Sequence, residues 1–339
     1  MNRRNSTLLL LVATAVTGVI WTAFPRNDNV VVVYVSHDQV FSEPILKDFE
    51  RETGIRVKAV YDTEETKSAG AMNRLIAEKI NPQADVYWAN EPIRAEVLRQ
   101  QGVSAPYLSP SAQGIPEQFR NAEGHWTGFS ARARILIVNR LLKEKPSSIQ
   151  AYTDPRFNGR MVIANPLFGT TTAHVAALFV VWGDAKTKAF LDAMRKNGVR
   201  ISSSNGESAD QVATNAFQFA LADTDDVYSR QKQGQPVEGI YPDQEESGLG
   251  CFIVPNAVLL IKGGPHPGGG KTLIDYLLSR ETEKKLAYSD AGQIPLHSDA
   301  DTPLAVRRLE TLKVMKVEYA AVAAKMQMIQ PLLRDWAGH

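Results

Sequence analysis

The 339 residues carry 38 basic and 37 acidic side chains, a formal net charge of +1, which excludes the cationic surplus of a nucleic-acid-binding chain and the long acidic runs of a disordered one. With 44 % hydrophobic and 22 % charged residues the composition is globular, and the length suits two domains better than one. The lone cysteine, Cys251, excludes an intrachain disulfide and reads as a small buried hydrophobe.

The first segment has the layout of a secretion signal. Arg3 and Arg4 precede an apolar stretch from Leu8 to Phe24, and Pro25 and Asn27-Asp28-Asn29 break it. No clean small-residue cleavage site precedes the break. The stretch is about 17 residues, the low end of what spans a bilayer. Residues 1–29 are therefore expected to be a signal peptide, or an N-terminal anchor over residues 1–24. The remainder is expected to be periplasmic or extracellular, and monomeric.

From residue 30 short apolar runs alternate with amphipathic stretches. Val30 to Val35 is a β-branched run that predicts a strand, and Pro44 to Thr53 a helix stopped by Gly54. Arg56 to Tyr61 alternates as a strand. Thr66 to Ile80 is helical, Ala84 to Trp88 a strand, and Ile93 to Gln101 a helix. This rhythm implies a parallel sheet covered by helices. Trp126 to Asn139 has a strand's composition at more than a strand's usual length, which suits a segment crossing between two lobes. The rhythm then resumes: strand Met161 to Ala164, helices Thr172 to Trp182 and Ala185 to Asn197, strand Val199 to Ser202, helix Ser208 to Gln218, strand Phe219 to Ala222. Two apolar runs, Cys251 to Val254 and Val258 to Lys262, return the chain to the first sheet. Lys271 to Leu278, Glu281 to Ala287 and Leu304 to Leu333 read as helical, the last broken near Pro331. The expected fold class is α/β with two lobes, residues 30–130 plus 250–339 forming one and 131–249 the other.

Ligands of such folds collect in the crevice beyond the carboxyl ends of the strands. The residues following each predicted strand are therefore the candidates. His37 follows the first strand and Glu91 the third. Thr170, Thr171 and Thr172 lead into one helix, and Ser204 and Asn205 into another. Asp223, Thr224, Asp225 and Asp226 follow the strand ending at Ala222, and Tyr241 opens the last such segment. Hydroxyls and free N–H groups at the two helix starts suit a phosphate, carbonate or carboxylate. Asp225 and Asp226, with Glu91 and His37, offer hard oxygen donors and an imidazole for a hard cation. The same set suits an organic ammonium, with Tyr87 and Trp88 as aromatic walls. The blander reading of these polar loops is helix capping.

Other motifs are decoys. Gly268-Gly269-Gly270-Lys271-Thr272 lacks the leading glycine of a phosphate-binding loop, because Pro265 stands there. No zinc-protease, serine-hydrolase or Cys-x-x-Cys pattern occurs. A secreted hydrolase using Asp225 or Asp226 with His37 therefore lacks a nucleophile motif, and no enzyme is expected.

Taken in order, six segments resemble the extracellular solute-binding proteins of ABC importers, specifically the group that includes ferric-iron-binding proteins. They are residues 31–64, QADVYWANEP at 83–92, IANPLFGTTTAHVAALF at 163–179, FALADTDDVY at 219–228, VEGIYPDQ at 237–244 and GQIPLH at 292–297. The resemblance implies the periplasmic-binding-protein type II fold, with two lobes closing over a ligand, and a partner permease and ATPase. It implies ferric iron with a synergistic anion as the transported ligand, with no covalent cofactor. Ferric binders of the group use two adjacent tyrosines with a histidine and a glutamate. The tyrosine pair falls at Asp225 and Asp226, and His37 and Glu91 lie about one position from the other two ligands. That departure keeps phosphonate or polyamine uptake, and a ligand-sensing receptor domain, as alternatives.

Overall fold

The run of five valines and a tyrosine at Val30–Val35 (β1) is buried along nearly its whole length, as a strand flanked on both sides and both faces must be. The computed structural model describes residues 29–62 and 69–338. The predicted signal or anchor segment, apart from Asn29, lies outside them. Among the described residues no helix is long and apolar enough to cross a membrane.

After β1 come α1 (Gln39–Thr53), β2 (Arg56–Tyr61), α2 (Ala69–Ala77), β3 (Val86–Ala89), α3 (Pro92–Gln100) and the two-residue β4 (Ser104–Ala105). β1 pairs in parallel with both β2 and β3. β5 (Thr127–Asn139) follows, then β6 (Met161–Ala164), α4 (Gly169–Trp182), α5 (Asp184–Lys196), β7 (Arg200–Ser202), α6 (Asn205–Ala213), β8 (Phe219–Asp223), α7 (Thr224–Lys232) and β9 (Val237–Ile240). The chain ends with β10 (Ile253–Ile261), α8 (Pro267–Leu277), α9 (Arg280–Tyr288) and α10 (Tyr319–Ala337). The strands run in the order β2-β1-β3-β10-β5-β8-β6-β7.

β5 is the joint of this arrangement. Its first half pairs antiparallel with β10, from Thr127 to Ala133. Its second half pairs with β8, from Arg134 to Val138, and with β9. Within the first half the strand bends at Ser130, whose φ of +41° is unusual for a residue with a side chain. Opposite it the β10 register shifts between Pro255 and Asn256, so one bulge absorbs the bend. This proline lies between what had read as two apolar runs. They form the single strand β10, because the bulge accommodates the missing N–H.

Three other expectations are corrected. α1 begins at Gln39, with Pro44 inside it, rather than at Pro44. The glycine run 268–270 lies within α8, where Pro267 occupies the first turn, so it is not a loop. The predicted helix over 304–333 starts only at Tyr319. Upstream, the chain is drawn out along Cys251, with Cys251 N donating to Lys313 O and Met315 N to Cys251 O. That pairing outweighs the local helical pattern. α10 is not broken at Pro331. Val322, Met326, Ile329, Leu333 and Trp336 keep one buried face through it, and the packing offsets the proline's cost of ~3 kcal/mol. α10 lies across both α3 and α4, one helix from each half of the strand order.

Candidate functional site

β8 is wholly buried and ends at Asp223, where α7 starts. Asp223 is the N-cap residue, and Asp226 reaches back to accept from its N–H at 3.1 Å. Asp223, Asp225 and Asp226 each place a carboxylate oxygen within 4.8 Å of the others'. Among the described residues this is the group with the spacing of a metal-ligand set, and neither His37 nor Glu91 belongs to it.

The three acids have different environments. Asp223 is buried beside Arg134, which is fully inaccessible. Arg134 Nη1 donates to Asp223 Oδ1 at 2.8 Å and to Thr170 Oγ1 at 2.9 Å, and Nη2 to Thr171 Oγ1 at 3.0 Å. Thr170 Oγ1 in turn donates to Asp223 Oδ2 at 2.8 Å, and Asn205 Nδ2 reaches both of them. Burial raises the Asp223 pKa, but the charges of Arg134 and Arg132 and the hydrogen bonds outweigh it and hold the group below its ordinary value. Asp225 and Asp226 lack such a close partner. Burial foremost, then repulsion from neighbouring carboxylates, raises Asp225 well above the ordinary range and Asp226 to about 6. Arg230 Nη1 stands 3.7 Å from Asp226.

Arg132, on the bend of β5, is also buried, and its charge faces Asp225, Asp223, Asp38 and Asp226. One of its head nitrogens donates to the carbonyl of Asn90, just beyond β3. Arg132 therefore spans the space between the carboxyl ends of the first strands and the start of α7. Its Nε is buried without a hydrogen-bond partner among the described residues, as is the hydroxyl of Thr172 in the first turn of α4. A buried donor left so costs free energy unless a ligand or water meets it.

The remaining sequence candidates divide. Ser204 is the N-cap of α6 and accepts from Glu207 N at 3.1 Å. Glu91 is the N-cap of α3, accepting from Ile93 N at 2.6 Å and from Arg94 Nη1 at 2.8 Å, so it does a capping residue's work. His37 is buried, stacked on Trp88 at 5.5 Å and Phe41 at 5.9 Å, with Nε2 3.2 Å from Gln293 Nε2. Gln293 Oε1 accepts from Asn256 Nδ2. That fixes the amide's orientation, so its NH₂ donates and His37 Nε2 accepts. Tyr87 and Trp88 are fully buried, bonded to Ser36 and Asn256 respectively, and do not line an open wall. Thr224 accepts from Ala133 N at 3.2 Å. With Tyr241, Tyr228 and Arg307 it lines a cavity of about 410 Å³ on the far side of α7.

Sequence reasoning passed over Gln293 and Asn256. Asn256 had a readable signal, a lone amide within the apolar run 251–261, since a buried polar residue in a strand needs partners. Gln293 had none, because only the fold brings it to His37.

The arrangement sets acids in need of positive charge and buried donors in need of an acceptor at the strand ends. Residues 45–313, well over half the chain, match the model of the bacterial extracellular solute-binding protein family. The chain is 25 % identical to iron uptake protein A1 of Synechocystis sp., over 78 % of this chain and 76 % of that one. It is 24 % identical, over 85 % of this chain and 80 % of that one, to a Salmonella typhimurium periplasmic protein whose proposed ligand is 2-aminoethylphosphonate. In fold it is similar to iron-bound HitA from Pseudomonas aeruginosa, with a TM-score of 0.80 at 20 % identity over 90 % of this chain and 99 % of that one. The architecture is accordingly the two-lobed type II fold of periplasmic binding proteins, and the family binds solutes for transport rather than transforming them. The chain belongs to the bacterial extracellular solute-binding protein family.

Proposed function

We propose that this chain is the capturing component of an ABC importer, working in the periplasm or outside the cell, and that its cargo is a ferric ion held with a synergistic anion. The observation that carries the reading is the acid group at the start of α7, where Asp225 and Asp226 stand close together and are raised in pKa despite the nearby charges of Arg132 and Arg230. A hard trivalent ion relieves that repulsion, and carboxylates are hard donors. The anion is then met by the first turn of α4, with Thr172, and by Arg132. Iron uptake by one relative supports this cargo. His37 and Glu91 take part as supporting groups unless binding reorganises their present hydrogen bonds.

The lobes are residues 30–130 with 250–339, and 131–249, meeting at β5 and β10. The solute passes to a permease and ATPase in the membrane, and residues 1–29 serve as a signal peptide or, over residues 1–24, as an anchor.

One observation favours a second cargo. Arg132 Nε and the Thr172 hydroxyl are buried donors, and next to acids they suit a molecule carrying both charges, such as an aminoalkylphosphonate. Calorimetry on the full-length protein with ferric citrate, 2-aminoethylphosphonate and spermidine separates these cases. Iron predicts tight binding of ferric citrate, lost in Asp225→Asn/Asp226→Asn. Binding of the phosphonate with none of iron replaces the first reading by the second. Binding of spermidine alone refutes both.

A further inference from the structure

α7 starts at the acid group and runs away from it along the junction between the two halves of the molecule. One turn along, the ring of Tyr228 lies over the α-carbon of Gly292. A Cβ built at Gly292 would stand 2.6 Å from that ring, so only glycine permits the approach, and its φ of +52° points to the same residue. One turn further, Lys232 Nζ stands 2.7 Å from Asp290 Oδ1 and 5.0 Å from the Tyr228 ring.

The loop held in this way belongs to the other half. The residue after Gly292 is Gln293, whose amide meets His37 and Asn256. The next, Ile294, exchanges backbone hydrogen bonds with Ala131 in the first half of β5. α7 itself packs on β8, β9 and β5. Beside the two contacts the cavity of about 410 Å³ keeps α7 and β9 apart from residues 305–307. The halves thus meet here through a few side chains rather than a continuous packed interface.

We propose that Tyr228 and Lys232, gripping Gly292 and Asp290, are an interlobe latch that holds the cleft shut, and that they are positioning residues for Asp225 and Asp226 on the same helix. The latch rests on the two-lobed capture of a solute but not on which solute it is. Opening the lobes withdraws α7 from the 290–292 loop. Closing them seats the ring on Gly292 and the Lys232 ammonium on Asp290.

The test reads the lobes directly in the full chain without cargo. The native thiol of Cys251 is fully buried, so spin labels go on Arg51→Cys in α1 and Asp192→Cys in α5, both exposed positions. Tyr228→Ala and Gly292→Ala are each expected to move the interlobe distance distribution to longer values. Gly292→Ala is expected to add nothing once Tyr228 is alanine, because both act through one contact. The ion pair is exposed, so charge reversal leaves the core intact. Lys232→Glu is expected to lengthen the distances, and Lys232→Glu with Asp290→Lys to restore them. Distributions unchanged from wild type in Lys232→Glu and in Tyr228→Ala would overturn the proposal, as would a charge swap that fails to restore what Lys232→Glu disturbs. Because no cargo is added, failure of the ferric reading leaves this result standing, and a failed latch leaves the cargo assignment untouched.

Discussion

Removing the guanidinium of Arg134 tests how the site is built. In Arg134→Met the side chain keeps much of its volume but loses its bonds to Asp223, Thr170 and Thr171. Asp223 remains buried with its hydrogen bonds to Thr170 and Asn205 and the charge of Arg132, but without its ion-pair partner. Breaking a buried pair on one side costs about 3–5 kcal/mol, since the surviving charge keeps its desolvation penalty. For a chain of this length that is a fall in Tm of about 4–7 °C. Asp223→Leu added to Arg134→Met removes the stranded carboxylate and is expected to recover a large part of the loss. Denaturant unfolding followed by circular dichroism measures Arg134→Met, Asp223→Leu and the double variant. A loss below about 1 kcal/mol in the single variant, or a double variant as unstable as the sum of the singles, would refute the idea that Arg134 is the charge on which Asp223 depends. A large loss would also mean that Thr170 and Thr171 serve the framework first, with their hydroxyls already committed before a solute arrives.

Two further outcomes follow from the same geometry. Asp226 is raised to about 6 by burial and by Asp223, above its unfolded value near 3.9. Its contribution is therefore fully present below the unfolded pKa and lost as pH rises through 6. Cargo-free protein should gain about 1 kcal/mol from this group between pH 7.5 and 5, and Asp226→Asn should flatten the slope. An equal slope in the variant would remove Asp226 as its source. Leu333→Ala, in the fully buried face of α10 beyond Pro331, should cost about 2–5 kcal/mol in the same unfolding assay. A loss within experimental error would show that the last turns of α10 contribute no packing.

Much of this protein is written locally. The valines of β1, the helix stop at Gly54 and the unusual length of β5 each follow from residue type and spacing, because backbone propensity and side-chain alternation act over a few residues. The grouping of polar residues at strand ends was legible for the same reason, since a strand followed by a helix puts its loop at the carboxyl edge. What the grouping does was not legible. The run Asp223-Thr224-Asp225-Asp226 reads as four neighbours of one kind, yet Arg134, 89 residues away in sequence, neutralises the first acid and leaves the other two exposed to their mutual repulsion. Glu91 and His37 look alike as candidate ligands in a sequence, but one caps α3 and the other accepts from Gln293, 256 residues on. The stretch 304–318 carries a helical pattern but forms turns and a single 3-10 turn at Leu309–Thr311, and residues 313–315 are drawn out along Cys251. Pro331 signals a break that the buried face of α10 overrides. Glu91 apart, whose partners Ile93 and Arg94 are its neighbours, the deciding partner is distant in the chain, and charge pairing, hydrogen-bond satisfaction and packing act through space, so only the tertiary structure determines them.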